Sequence, residues 1–465
     1  MRRPLRSGIG SRGFLSAGTA AVLVVSSLAM VVGTGFSFGE TRLKDGVTWI
    51  FDRKKGEAVQ VNGSSGKVGA RIVMPGTKGE DIVMVQRDGK VWAVDKKSGE
   101  AASLDVNDLK VKARTDFGTK DDIQPVMGDE AGFLVNRDDG TVQRIDPQGM
   151  ESLGKPVSAG TKLSNAVADD AGRLWVGRNA TGEVLRIDPD GANGLTIAVR
   201  KQLAGKGAQL SISVTDDGIV VTDAKSGKQW RLDADGNEVG DFQAELPAPP
   251  PPDVPVTPEY SSGPYVPIVT PDDGGYSVVP PPTQPGGGGQ AVDPIPMDDL
   301  PTNLPSDALT HPAVTLGDRL YVPVPGESVL IVLDLKGTYL DTIAVPGEGG
   351  FQLILDDGHL WVNDPDDPEA LRIDADGTVT TVEKSAPDVP ITPPKDDPKP
   401  PKDDDDKGPK PPHRRRRRPG HHHHHDPPPP RPRRSRPPPS RSPPRPPRSR
   451  RSPPPPSRTR TRPGR

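Results

Sequence analysis

The sequence predicts an all-β fold, a β-propeller of about seven blades. Three observations carry that prediction. First, a strand-like run ending in Asp, with Gly three or four residues later, returns seven times, at Asp52, Asp95, Asp146, Asp188, Asp233, Asp334 and Asp374. The gaps are 43, 51, 42, 45, 101 and 40 residues, and a period near forty with strand patterning is the signature of propeller blades. Second, the residue before each Asp is apolar (Phe51, Val94, Ile145, Ile187, Leu232, Leu333, Ile373), and Arg144, Arg186, Arg231 and Arg372 stand one residue further back. That alternation suits a strand with one buried face. Third, Ile82, Phe133, Trp175, Val220, Tyr321 and Trp361 lie thirteen residues before an Asp, and Gly89, Gly140, Gly182 and Gly227 lie six before one. They read as a second strand and the hairpin turn between the two.

All five tryptophans fall in these registers. They predict packing between blades, because Trp buries large areas; an aromatic binding surface is the functional alternative. The seven aspartates read as turn residues that bond the backbone two residues on, with the following Gly supplying positive φ.

From the N-terminus, residues 1–40 hold Arg2, Arg3, Arg6 and Arg12 before an uncharged run from Gly13 to Gly39. About 20 apolar residues cross a bilayer, and a basic flank favours the inside. This predicts a single-pass transmembrane anchor with a cytoplasmic N-terminus and an extracytoplasmic propeller; a cleaved signal peptide is the rival reading. Residues 41–246 are the first part of the ring and 311–384 the second. Between them, 247–310 carry eighteen prolines, eight acidic residues and no Lys or Arg. Proline cannot donate to a strand ladder, so this stretch reads as an acidic surface excursion or as an eroded blade around Tyr265–Val279.

Residues 385–465 read as a disordered tail, first Pro/Asp/Lys-rich, then Pro/Arg/His-rich. From Gly408 onward there is no Ala, Val, Ile, Leu, Met or aromatic residue, which predicts disorder. The net charge of −3 conceals +18 on Gly408–Arg465 and −21 on the rest. The Arg clusters suit anionic wall polymer or lipid outside the cell, not nucleic acid. A second reading of this tail is an out-of-frame translation of an Ala/Thr/Pro linker.

The absence of cysteine removes disulfides, thiolate metal sites and a Cys nucleophile. Six of eight histidines lie in the tail; His311 and His359 fall near the ring and read as ordinary surface or strand residues. Asp233, Asp235, Asn237 and Asp241 space like a calcium loop without its closing Glu, and Asp364, Asp366, Asp367 and Glu369 form an acidic turn. Both read as turns. The sequence therefore assigns no catalytic, cofactor or metal residue, and no cofactor.

Two resemblances bear on function. Asp169–Gly191, DDAGRLWVGRNATGEVLRIDPDG, resembles the repeats of streptogramin lyases and NHL-type propellers, whose catalytic His motif neither His311 nor His359 matches. The segments Arg42–Ile72, Gly317–Asp334 and Phe351–Gly377 resemble actinobacterial membrane-anchored exported propeller proteins, which commonly carry C-terminal fibronectin type III domains. That resemblance covers about residues 1–390 and implies no catalytic residues. It implies a non-catalytic scaffold at the cell envelope whose partner is an envelope protein or an anionic wall polymer. The alternatives are a propeller enzyme of lyase or lactonase type, or a wall-associated protein whose fibronectin part is missing from this reading frame.

Overall fold

Eight sheets follow one another along the chain in the computed structural model. It describes residues 46–118, 123–250, 257–272, 275–282, 293–296, 312–348, 350–385, 389 and 391–392, all within the first of the chain's two units, Met1–Pro401. Blade 1 is Val47–Asp52, Glu57–Asn62 and Lys67–Val73; blade 2 is Ile82–Arg87, Lys90–Asp95, Glu100–Asp105 and Lys110–Asp116. Blade 3 is Ile123–Met127, Gly132–Asn136, Thr141–Ile145 and Ser152–Ser158; blade 4 is Leu163–Ala168, Leu174–Arg178, Glu183–Asp190 and Gly194–Gln202. Blade 5 is Leu210–Thr215, Gly218–Asp223, Lys228–Leu232 and Glu238–Gln243; blade 6 is Ile268–Asp272, Gly275–Val279 and Ile295–Pro296. Blade 7 is Val314–Leu316, Arg319–Val324, Val329–Asp334 and Tyr339–Ala344; blade 8 is Gln352–Asp356, His359–Asn363, Glu369–Asp374 and Val379–Glu383.

Apolar packing turns this series into a ring. Each apolar cluster joins one sheet to the next: Trp49 with Met84, Trp92 with Met127, Phe133 with Leu174, and Trp175 with Ile212. The series continues through Phe242 with Ile268, Val278 with Leu320, and Tyr321 with Leu360. Trp361 of blade 8 then packs with Ile50 and Val59 of blade 1, which closes the ring. The tryptophans are buried at these junctions, where large rings contribute most by leaving water.

The ring therefore has eight blades rather than about seven, for two reasons. The 101-residue gap contains the three-stranded sheet of blade 6. The repeated phrase also occupies two different strand positions. Asp146, Asp188, Asp233, Asp334 and Asp374 end or follow third strands, or lie within one, whereas Asp95 ends the second strand of blade 2 and Asp52 the matching strand of blade 1, the first one described there. The true third-strand equivalent in blade 2 is Asp105, and counting from Asp105 to Asp146 gives 41 residues instead of 51. Blade 1 lacks an inner strand among the described residues. Its outer strand gains a parallel partner from the far end of the propeller, Ile391–Thr392 beside Arg71–Ile72.

Polar groups stitch neighbouring blades at two radii. Near the axis, a side-chain amide pairs with backbone as a strand would: Gln86 with both the N–H and C=O of Trp49, at 2.7 and 3.1 Å. Gln124 does the same to Ala166 and Asn165 to Ile212; Gln229, on the third strand of blade 5 and away from the axis, does so to Val266. Further out, the third-strand Arg positions reach the next blade's outer turn. Arg144 donates to Gly191 O, Arg186 to Ala234 O and Arg372 to Gly63 O, with Ser103 donating to Gln148 O in the same register. Both devices satisfy backbone groups that a sheet edge would otherwise leave bare.

Candidate binding channel

The inner strands enclose an axial cavity of about 3040 Å³. Every complete blade begins at the axis and runs outward in the same order, so the turns between first and second strands gather at one end. Asp88, Asp129, Asp170, Asp217 and Asp357 lie there and line the cavity. The other end, at turns and connections of opposite sense, carries Lys96, Arg137, Lys162 and Lys225.

The residues before blade 6 enter this cavity as the wall between blades 5 and 7. Ser213 Oγ donates to Pro258 O at 2.5 Å, and Val214 N–H to Glu259 O at 2.8 Å. Tyr260–Ser261 pairs in parallel with Val214–Thr215. On the other side, Thr315 N–H donates to Ser261 Oγ and Ser262 N–H to Thr315 O. This segment stands where blade 6 would have its inner strand.

Two of its side chains reach across the lumen. Glu259 Oε1 accepts from Gln124 Nε2 of blade 3 at 3.0 Å. The Tyr260 phenol lies against Arg87 of blade 2. Arg87 also pairs with Asp129 and Asp170 and donates to Ala168 O at 3.0 Å. Enclosure by the ring pushes the Glu259 carboxyl up to about 7, with Arg137 opposing. The side chain is exposed to the lumen. Loss of solvation likewise pushes the Tyr260 phenol up to about 12.

The Glu259 shift has a signed consequence. The folded state holds this proton more tightly than the unfolded chain, so the resulting stability is full below the ordinary carboxyl range near 4.5 and is lost as pH rises through about 7. The thermal midpoint of the wild type minus that of Glu259→Gln should fall across that window. A flat difference would show that the lumen solvates Glu259 like bulk water.

The residues singled out in the sequence lie mostly elsewhere. His359 is on blade 8 at the junction with blade 1, not on the channel wall; its Nδ1 is 2.8 Å from Asp374 Oδ1, and Arg372 holds the other oxygen at 2.9 Å. His311, the anchor, most of the tail and the His421–His425 run lie outside the described residues; of the tail, Ile391–Thr392 is described and, against the expectation of disorder from residue 385, pairs as a strand with blade 1. Asp233 accepts from the N–H groups of Asp235 and Asn237 and from the Asn237 side chain, and Asn237 holds its carboxyl below the usual range. Asp241 pairs with Lys228 instead. Asp366 pairs with Arg53, and Lys384 donates to Asp364 O at 2.7 Å. Asp52, Asp95, Asp146, Asp233 and Asp334 accept turn amides as expected, whereas the Asp188 and Asp374 carboxylates bind the arginine two residues before them, and Asp188 lies within a strand rather than a turn. Among the described residues no group of three His, Cys, Asp or Glu is placed to hold a metal. No described helix is long and apolar enough to cross a membrane. Glu259 and Tyr260 carried no motif, and only the chain's passage through the ring gives them a role.

Sheets and closing contacts define the class: an eight-bladed β-propeller with an axial channel. No family model and no curated protein matches the chain. Similar solved structures include BamB from Moraxella catarrhalis, at 12% identity over 72% of this chain and 95% of that one, with a TM-score of 0.44. A catalytically inactive virginiamycin B lyase from Staphylococcus aureus with quinupristin is 13% identical over 69% and 96%, at 0.43. The dihydro-heme d1 dehydrogenase NirN in complex with DHE is 14% identical over 73% and 74%, at 0.45. These likenesses concern fold alone, and the propeller assignment rests on the sheets and junctions above.

Proposed function

We propose that this protein is an exported, membrane-anchored binding scaffold that takes an envelope protein or an anionic wall polymer on its ring, without catalysing a reaction. The supporting observation is the channel: a large cavity walled by side chains from most blades and furnished with convergent polar groups, the usual form of a binding site. The exported, anchored placement comes from the basic N-terminal flank and the uncharged run after it. One feature favours the lyase or lactonase alternative: Asp374 fixes the His359 imidazole through Nδ1, as a general base is often held.

A pull-down with the full chain from envelope extract tests both readings. The scaffold predicts a partner recovered in fixed stoichiometry and unaffected by His359→Ala. Turnover of any extract component that disappears in folded His359→Ala would establish the enzyme instead.

A further inference from the structure

Residues 257–263 are held in two ways. Hydrogen bonds tie them to the walls of blades 5 and 7, and Gly263 N–H donates to Asp216 Oδ2 at 3.2 Å. Glu259 and Tyr260 tie them to Gln124 and Arg87. The order of junctions places blade 3 two positions and blade 2 three positions from blade 5, to which the segment is paired. These two contacts therefore join the segment to blades beyond its immediate neighbours.

The backbone attachment is short. The strand pairing covers two residues, Tyr260 and Ser261, where the inner strands of blades 2 to 5 pair with their second strands at four to six positions. Ser211 Oγ with Thr257 Oγ1, and Ser262 Oγ with Thr315 O, add single modest hydrogen bonds on the wall side, and the Glu259 and Tyr260 side chains add the contacts beyond it. On its N-terminal side the chain continues into the proline-rich stretch that begins at Pro247.

We propose that residues 257–263 are a displaceable strap that closes the channel, latched across the lumen by Glu259 on Gln124 and by Tyr260 on Arg87. The strap occupies the lumen and the inner edge of blade 5, so a ligand in the channel must unlatch it. This deepens the binding-scaffold reading and rests on it, but the motion is measurable without any ligand.

The chain has no cysteine, so one introduced thiol reports alone. Ser261 is 2% exposed and Thr257 3%; Ser261→Cys or Thr257→Cys in the full chain should label slowly with a maleimide while the strap is latched. Adding Glu259→Ala with Tyr260→Leu should raise the rate at least tenfold, with the circular dichroism spectrum unchanged. Ala168→Cys, buried in the junction of blades 3 and 4, reports global opening and should stay slow in the same background. An unchanged Ser261→Cys rate, with Thr257→Cys agreeing, would overturn the latch. Equal rates at Ser261→Cys and Ala168→Cys would show that the strap opens only with the whole fold. Neither result depends on the pull-down, so the strap and the scaffold reading can fail separately.

Discussion

Trp175→Ala should lower the unfolding free energy by about 3–5 kcal/mol, the usual cost of emptying a fully buried aromatic site. Trp175 is completely buried between blades 4 and 5, among Val184, Leu210 and Ile212. Its Nε1 donates to Asp169 Oδ2 at 2.8 Å, and the Arg186 guanidinium lies 5.9 Å from the ring centroid. Asp169 keeps its bonds from Ala171 and Arg173 in the variant, so the loss is mainly apolar area and packing. Trp175→Phe should cost only about 1–2 kcal/mol, since it keeps most of the area and loses one hydrogen bond. Urea midpoints measured by circular dichroism decide this. A Trp175→Ala midpoint within error of the wild type would mean that the junction collapses around the gap.

The second large effect is expected at the ring closure. Lys384 is fully buried, and its ammonium donates to Asn363 Oδ1 at 3.0 Å and to Asp364 O at 2.7 Å. Asp52, Asp364, Asp366 and Asp367 surround it at longer range. Lys384→Ala orphans two buried acceptors and removes the cation set among those carboxylates, which should cost about 3–5 kcal/mol at neutral pH. Burial lowers the Lys384 amine to about 8, against the pull of the aspartates. Between about 8 and the ordinary 10.5 the unfolded chain therefore binds more protons than the folded one, and this site's contribution grows with pH. The stability of wild type minus Lys384→Ala should widen from pH 7 to pH 10. A difference that narrows would mean the aspartates outweigh desolvation.

Both sites mark how far the sequence could be read. The tryptophan registers and the period near forty come from local alternation and turn chemistry, which the next few residues enforce. They identified the propeller and the junctions where Trp92, Trp175 and Trp361 lie. The same local signal could not tell a second strand from a third, because DRKKG after Asp52 and DPQG after Asp146 both make tight turns at a strand end. Blade number and ring closure needed the pairing of strands. Proline density masked blade 6, since its sheet uses only a few residues of the stretch 247–310.

By itself the sequence determined the all-β repeat, the turn role of five of its seven repeated aspartates and the burial of its tryptophans, since each depends on residues close in the chain. The tertiary structure alone decided that Arg372 clamps Gly63, that Lys384 sits among four aspartates, and that Glu259 meets Gln124 across the lumen. Those partners are separated by 309 residues for Arg372 and Gly63 and by 135 for Gln124 and Glu259. A carboxylate or guanidinium carries no mark of its distant partner. Its role is set by which groups the closed ring brings within hydrogen-bonding reach and by how much water the ring leaves around them.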